Sequence, residues 1–290
     1  MSIYATISST ISKTISGTIG FGQQSFVQLF GNGLSAAYFL ADLGSKRGTV
    51  DGVLNPVVRV QESVTSTLRS FTAPEVLNGT LLAWVRSFGT SADGLVYIWY
   101  DGSGNHRDAT QDTVADMPKI VSAGTLVADG LNFLGSASQH LETSVIPPAT
   151  LTAFSVSFNG SGNGMVFGAR DSNDERSYLS ELAGDYRIGV ANNQFTASEG
   201  SSEIDLTTFI YNGSTSSLHK NGTSIISESQ SQAVNNTTHG FTIGALNDAG
   251  SNISFFSGNI EALFLYTADK STQRTAIETA LAKEFNITLA

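Results

Sequence analysis

The chain has 290 residues, 40% of them hydrophobic and only 14% charged, so it can bury one sizeable core and lacks the high charge of a disordered chain. A formal net charge of −10 at pH 7 sets its surface against a phosphate backbone and argues against a nucleic-acid partner. The absence of cysteine excludes disulfides, thiolate metal sites and a cysteine nucleophile.

Residues 5–20 read ATIS-STIS-KTIS-GTIG, a four-residue repeat that places Ile3, Ile7, Ile11, Ile15 and Ile19 at one spacing. In an extended chain this spacing puts every Ile on one face and Thr6, Thr10, Thr14 and Thr18 on the other. Thr, Ile and Ser are mediocre helix formers, so an extended arm is favoured over a helix. Such an arm cannot bury its isoleucine stripe alone. It reads as a docking or oligomerisation segment, against the plainer reading of a loose leader. No basic segment followed by an apolar one marks a signal peptide, and no stretch reaches the ~20 apolar residues of a membrane helix, so no membrane partner is expected. A secreted-looking composition without a signal suggests release by another route, of which lysis by a bacteriophage is one.

Residues 31–43 (GNGLSAAYFLADL) predict a short helix stopped by Gly44, and residues 53–60 a strand. Thr80–Phe88 predicts a second short helix, and Gly94–Tyr100 (GLVYIWY) a strong strand ending in DGSGN. From about residue 118 the chain becomes a series of short strands at 131–134, 151–158, 165–169, 186–190, 206–211, 241–245 and 260–266, punctuated by Gly, Asn, Asp and Ser. That spacing signals an all-β sandwich or barrel. Asn221-Gly222 marks a tight hairpin inside 217–226. Residues 271–285 predict a helix with Ser271 as N-cap and Ala276, Ile277, Ala280, Leu281 and Phe285 as its apolar stripe.

Several residues could carry chemistry, and each has a plainer reading. Trp99, Tyr100, Asp101 and Asn105 could form a sugar-binding rim, or a core strand followed by a side-chain-capped turn. Asp171, Asn173, Asp174 and Glu175 make an oxygen-rich loop that could hold Ca²⁺, or simply a solvated acidic loop. His106, His140, His219 and His239 are isolated and show no zinc spacing. No G-x-S-x-G elbow appears, so a serine triad has no local signature. Sequons at Asn78, Asn212, Asn221 and Asn252 reflect an Asn/Ser/Thr-rich composition.

The hairpin at Lys220-Asn221-Gly222, the run FTIGA followed by FFSGNIEALFLY, and the closing RTAIETALAKEFNI resemble the corresponding parts of concanavalin A-like and laminin-G-like domains. WYDGSGNHRDATQ (99–111) resembles the YDQSGN motif of the fungal α-L-arabinofuranosidase B catalytic domain, with Gly102 standing where that motif has Gln. The same motif, preceded by Ala37-Tyr38-Phe39-Leu40 and Val58-Arg59-Val60, is similar to segments of phage virion proteins. The resemblance spans about residues 34–290 and implies a jelly-roll β-sandwich with a few short helices, an extended N-terminal arm (1–30) and a C-terminal helix. The sandwich would occupy 31–290, with 31–117 as an N-terminal subregion of it.

A retaining glycosidase needs two carboxylates on one cleft. In the arabinofuranosidase the nucleophilic Glu precedes an Asn-Asn pair, and the local match IGVANNQF (188–195) puts Ala191 at that Glu and Gly189 at a neighbouring Asp. The family's vicinal disulfide has no counterpart either. The resemblance therefore implies a fold kept and hydrolysis lost: no enzyme and no cofactor, Ca²⁺ aside. The expected function is that of a structural virion protein of a tailed phage, at the capsid, a head fibre or the tail. It would be made in the host cytoplasm and anchored by its arm to other virion proteins and to sister subunits, a trimer being expected. It would also bind host-surface carbohydrate. The alternatives are a bacterial carbohydrate-binding adhesin domain and an active glycoside hydrolase.

Overall fold

The computed structural model describes residues 25–159, 164–172, 175–182, 185–199, 203–230, 232–234, 236 and 238–290. The Ile repeat (Ile3, Ile7, Ile11, Ile15, Ile19) lies outside the described residues with the rest of 1–24, as do Asn173 and Asp174; the last part of the expected extended arm, Phe26–Phe30, is a helix whose Phe26 and Val27 are buried in the core.

The fold is an all-β sandwich whose hydrogen bonds run from one layer into the other. We number the longer strands β1 (Leu34–Phe39), β2 (Val58–Glu62), β3 (Leu68–Phe71), β4 (Gly94–Trp99), β5 (Leu151–Asn159), β6 (Gly164–Arg170), β7 (Arg176–Leu182), β8 (Asp185–Ala191), β9 (Asn193–Ala197), β10 (Asp205–Tyr211), β11 (Thr215–Lys220), β12 (Thr223–Ser229) and β13 (Gly258–Tyr266). One layer runs β12-β11-β10-β5-β13-β1, all antiparallel. The other begins β9-β8-β7-β6 and continues through the two-residue strands Thr242–Ile243, Leu141–Glu142 and Ala109–Thr110 into β4, β2 and β3. The pairing of β6 with Leu246–Asp248 is parallel. Lys119–Ser122 and Leu131–Phe133 bridge β4 back to β13.

The strand series after residue 118 follows the predicted spacing, as does the Asn221-Gly222 hairpin. Both turn residues have the positive φ (47° and 87°) that a tight hairpin turn requires. Residues 31–43 are different: the predicted helix is strand β1. All six of its residues are buried, because β1 pairs with β13 and is covered on both faces, so no alternation shows in the sequence. The helix lies earlier, at α1 (Phe26–Phe30), where Ser25 and Gln28 form a capping box. Two short helices follow, α2 (Ala73–Leu77) and α3 (Thr80–Arg86), the second as predicted. The closing helix α4 (Arg274–Glu284) is present, but Ser271 does not cap it; the N-cap is Gln273, and the Ser271 N–H is taken by Asp269 Oδ1 at 2.8 Å. Its buried side includes Ile277 and Leu281 as expected. Ala276 is exposed, and Glu278 is buried in its place, held by Thr208 Oγ1 at 2.7 Å and Arg274 at 2.5 Å. Among the described residues no helix is long and apolar enough to cross a membrane.

Candidate functional site

Strand β4 delivers the DGSGNHRD segment against β1. Trp99 is fully buried beside Tyr38, with ring centroids 5.8 Å apart. Tyr100 is 2% exposed and shares a hydrogen bond of 2.9 Å with Ser70 Oγ. Asp101 is fully buried and saturated: Oδ1 accepts the N–H groups of Ala37 and Ser103, both at 2.9 Å, and Oδ2 accepts the Ser103 hydroxyl at 2.8 Å and the Arg107 N–H at 3.0 Å. Asn105 Nδ2 donates to the carbonyls of Leu34 and Ser35 at 2.8 and 3.1 Å. This motif is therefore a knot that ties β4 to β1. Trp99, Tyr100 and Asp101 offer no surface to a sugar, and the Asn105 amide is committed to backbone. The Gly at position 102 also has a cause: a Cβ there would lie 2.4 Å from the Phe39 ring.

The oxygen-rich loop is only partly described. Asp171 is bonded to His239 Nδ1, and the neighbouring Arg170 pairs with Asp248 at 2.7 Å. Among the described residues no group of three or more His, Cys, Asp or Glu is placed to hold a metal ion. On β8, Gly189 lies opposite Tyr178 of β7, whose ring crosses it so closely that a Cβ at 189 would stand 2.3 Å from a ring carbon. Ala191 is buried with φ 50°. An aromatic ring thus covers the place where the resemblance would have put a carboxylate.

The site with open, convergent polar groups lies elsewhere, where the two-residue strands 109–110 and 141–142 carry the second layer across from β6 to β4. There a cavity of about 440 Å³ is lined by Tyr97, Ile98, Thr110, Gln111, Asp112, Thr113, Asp116, His140 and Glu142. His140 and Gln111 are each 7% exposed. The hydrogen-bond network assigns the imidazole: its Nδ1–H donates to the Ser138 carbonyl at 2.7 Å, and Nε2 accepts from Gln111 Nε2 at 2.9 Å and Asn252 Nδ2 at 3.0 Å. Gln111 Oε1 accepts the Thr113 N–H at 2.9 Å, so that amide cannot flip without losing a bond. Asn252 is fixed likewise, donating to Glu142 Oε1 at 2.8 Å and accepting from Thr242 Oγ1 at 2.9 Å. The Phe255 ring lies 5.8 Å from the imidazole. Glu142, 62% exposed at its side chain, and the exposed Asp112 form an acidic rim. The cavity is thus walled by the fixed Gln111 amide and the His140 ring, with three carboxylates and no Lys or Arg among its lining.

Sequence reading found His140 and Asn252 only as an isolated histidine and a sequon. The site draws on four segments, 97–98, 110–116, 138–142 and 252, so no local spacing announces it.

No family model matches this chain, and no curated protein matches it. Its architecture does have solved relatives. A crystal structure of an arabinofuranosidase complexed with arabinofuranosyl-α-1,2-xylobiose aligns with 90% of this chain and 65% of its own, at TM-score 0.56 and 13% identity. The two share a sandwich. NanB sialidase from Streptococcus pneumoniae aligns over 45% of this chain and 24% of its own, with 15% identity and TM-score 0.39. The CBM40 of the Ruminococcus gnavus IT-sialidase aligns over 46% and 82%, with 14% identity and TM-score 0.39. The chain thus spans about a quarter of the sialidase and under two thirds of the arabinofuranosidase. At 13% identity the arabinofuranosidase likeness establishes the β-sandwich fold and nothing finer.

Proposed function

We propose that this protein is a non-catalytic carbohydrate-binding sandwich displayed on the virion of a tailed phage. The observation that carries the binding role is the cavity around His140. It offers the Gln111 amide, held in place by His140 and Thr113 with one N–H left over, and the carboxylates of Asp112, Asp116 and Glu142 beside Tyr97, a combination that recognises hydroxyls while an aromatic face packs on a sugar ring. Ordering is already complete before a ligand arrives, which lowers the entropy cost of binding. Asp112, Asp116 and Glu142 repel anions, so the sugar is neutral or carries an amine rather than a carboxylate.

Loss of hydrolysis is supported by the resemblance together with Gly189 and Ala191, neither of which supplies a carboxylate. The virion assignment rests on the phage-like segments around residues 37–40, 58–60 and 99–111 and on the Ile repeat, which would anchor residues 31–290 to the particle and to sister subunits as a trimer.

A glycan array of neutral, amino and anionic sugars tests the binding role. Signal confined to the first two classes, lost in both His140→Ala and Asn252→Ala, is expected. Binding of anionic glycans, or binding untouched by these substitutions, overturns the assignment to this cavity. Light scattering of the full chain and of residues 25–290, which keep α1 and its buried Phe26 and Val27, tests the arm: a trimer falling to a folded monomer is expected, and two monomers refute self-association. Glycan cleavage by the purified protein overturns the non-catalytic reading.

A further inference from the structure

Between the two layers, at one end of the sandwich, three ionisable side chains meet where hydrocarbon would be expected. Asp205 opens β10, Lys220 closes β11, and Glu181 lies near the end of β7. Glu181 is fully buried, and the side chains of Asp205 and Lys220 are 5% and 18% exposed. Lys220 Nζ stands 3.5 Å from Asp205 Oδ2. The Asp205 carboxyl is gripped on both oxygens, by Tyr186 OH at 2.5 Å on Oδ2 and by Asn221 Nδ2 at 2.7 Å on Oδ1. Asn221 is itself fixed, since its Oδ1 accepts the Leu206 N–H at 2.8 Å.

Strand register builds this arrangement. Ser157 lies opposite Asp205, yet its hydroxyl donates across the layers to Glu181 Oε1 at 2.5 Å. Tyr186 lies opposite Glu181, yet it donates across to Asp205. Burial, reinforced by Asp205, holds the Glu181 carboxyl up at about 7, while Ser157 and Lys220 pull it down. Near neutral pH this acid therefore stands close to half-protonated, placed both to give and to take a proton. As an ion pair alone, Lys220–Asp205 stabilises little, because desolvation offsets the attraction. As a set of reactants it is complete: an amine, a carboxyl, and a proton-carrying acid coupled to both.

We propose that Lys220 and Asp205 condense to an intramolecular isopeptide bond, with Glu181 as the proton carrier. Lys220 first passes one ammonium proton to the Asp205 carboxylate, leaving a neutral amine and a neutral carboxyl, and the amine attacks Cγ. The C–N bond forms, Glu181 gives its proton to the departing hydroxyl, the C–O bond breaks with loss of water, and the second Nζ proton returns to Glu181. An ammonium and a carboxylate contain the atoms of an amide plus one water, so no oxidant, reductant or co-reactant is needed. The donors from Tyr186 and Asn221 already point at the oxygens on which charge grows in the tetrahedral intermediate. Holding reacting groups about 3–3.5 Å apart is worth effective molarities of roughly 10⁵–10⁸ M, which offsets the poor equilibrium of amide formation in water. The product also replaces two desolvated charges by one neutral group. In a chain with no cysteine it would be the covalent clasp.

Intact mass of the denatured full chain decides the matter. The expected mass is one water below that of the sequence, with trypsin failing to cut after Lys220, and with the full mass restored in Lys220→Arg and Glu181→Gln. A wild-type mass equal to the sequence, with normal cleavage after Lys220, overturns the proposal. So does a one-water loss that survives in Lys220→Arg, since the loss then lies elsewhere. A loss abolished by Lys220→Arg but kept in Glu181→Gln removes Glu181 from the step.

Discussion

Asp101 and His140 are both nearly closed off from solvent, at 0% and 7% exposure, but their hydrogen bonds end in different places. Every bond of Asp101 runs to the N–H groups and hydroxyl of its own surroundings, so the group is consumed in holding β4 to β1. The bonds of His140 include one to Gln111, whose amide lines an open cavity, so that bond orients a group a ligand can meet. The lesson is that burial alone does not separate structure from function; the destination of the hydrogen bonds does.

The sharpest way to break this comparison is Asp101→Ala, which leaves buried N–H donors unpaired. It is expected to cost on the order of 3–5 kcal/mol in urea unfolding. An effect under about 1 kcal/mol would mean the knot is ornamental. Next comes Gly189→Ala, where a Cβ at 2.3 Å from the Tyr178 ring must displace it, at about 1–3 kcal/mol. The same change in a Tyr178→Ala background should cost far less; equal costs in both backgrounds would deny the ring its role as cover. Third is His140→Ala, expected to lower stability by about 1 kcal/mol while lowering sugar affinity tenfold or more in calorimetry. A large stability loss there would move His140 into the same class as Asp101.

The mildest effect concerns a carboxyl that is desolvated instead of saturated. Burial, then Asp129 and Glu284, hold Glu261 up from 4.5 to about 7. The folded state therefore binds this proton more tightly than the unfolded chain does. The stability it contributes is fully present below about pH 4.5 and is lost as pH rises through about 7. Urea midpoints should fall across that window and fall less in Glu261→Gln; identical profiles for the two proteins would rule out this contribution.

Much of the sandwich is legible in the sequence because one-sided strands alternate and tight turns need particular residues, as at Asn221-Gly222. Strand β1 is not, since burial on both faces erases the alternation and its alanines favour a helix. The DGSGN motif is legible as a feature, and its plainer reading, a capped turn, is what the structure displays. The cavity is illegible for a different reason. Its walls come from three separate segments, 97–98, 110–116 and 140–142, and are braced by Asn252, more than a hundred residues beyond His140, so that only strand pairing brings them together.

The pairing of β1 with β13 has a consequence in time. Residues 34–39 find their partner only when residues 262–266 exist, about two hundred residues later. At roughly 5–20 residues per second of synthesis, β1 waits on the order of ten to forty seconds with its apolar edge unpaired. Slowing elongation after β1 should therefore lower the yield of soluble protein, whereas slowing it after residue 266 should not.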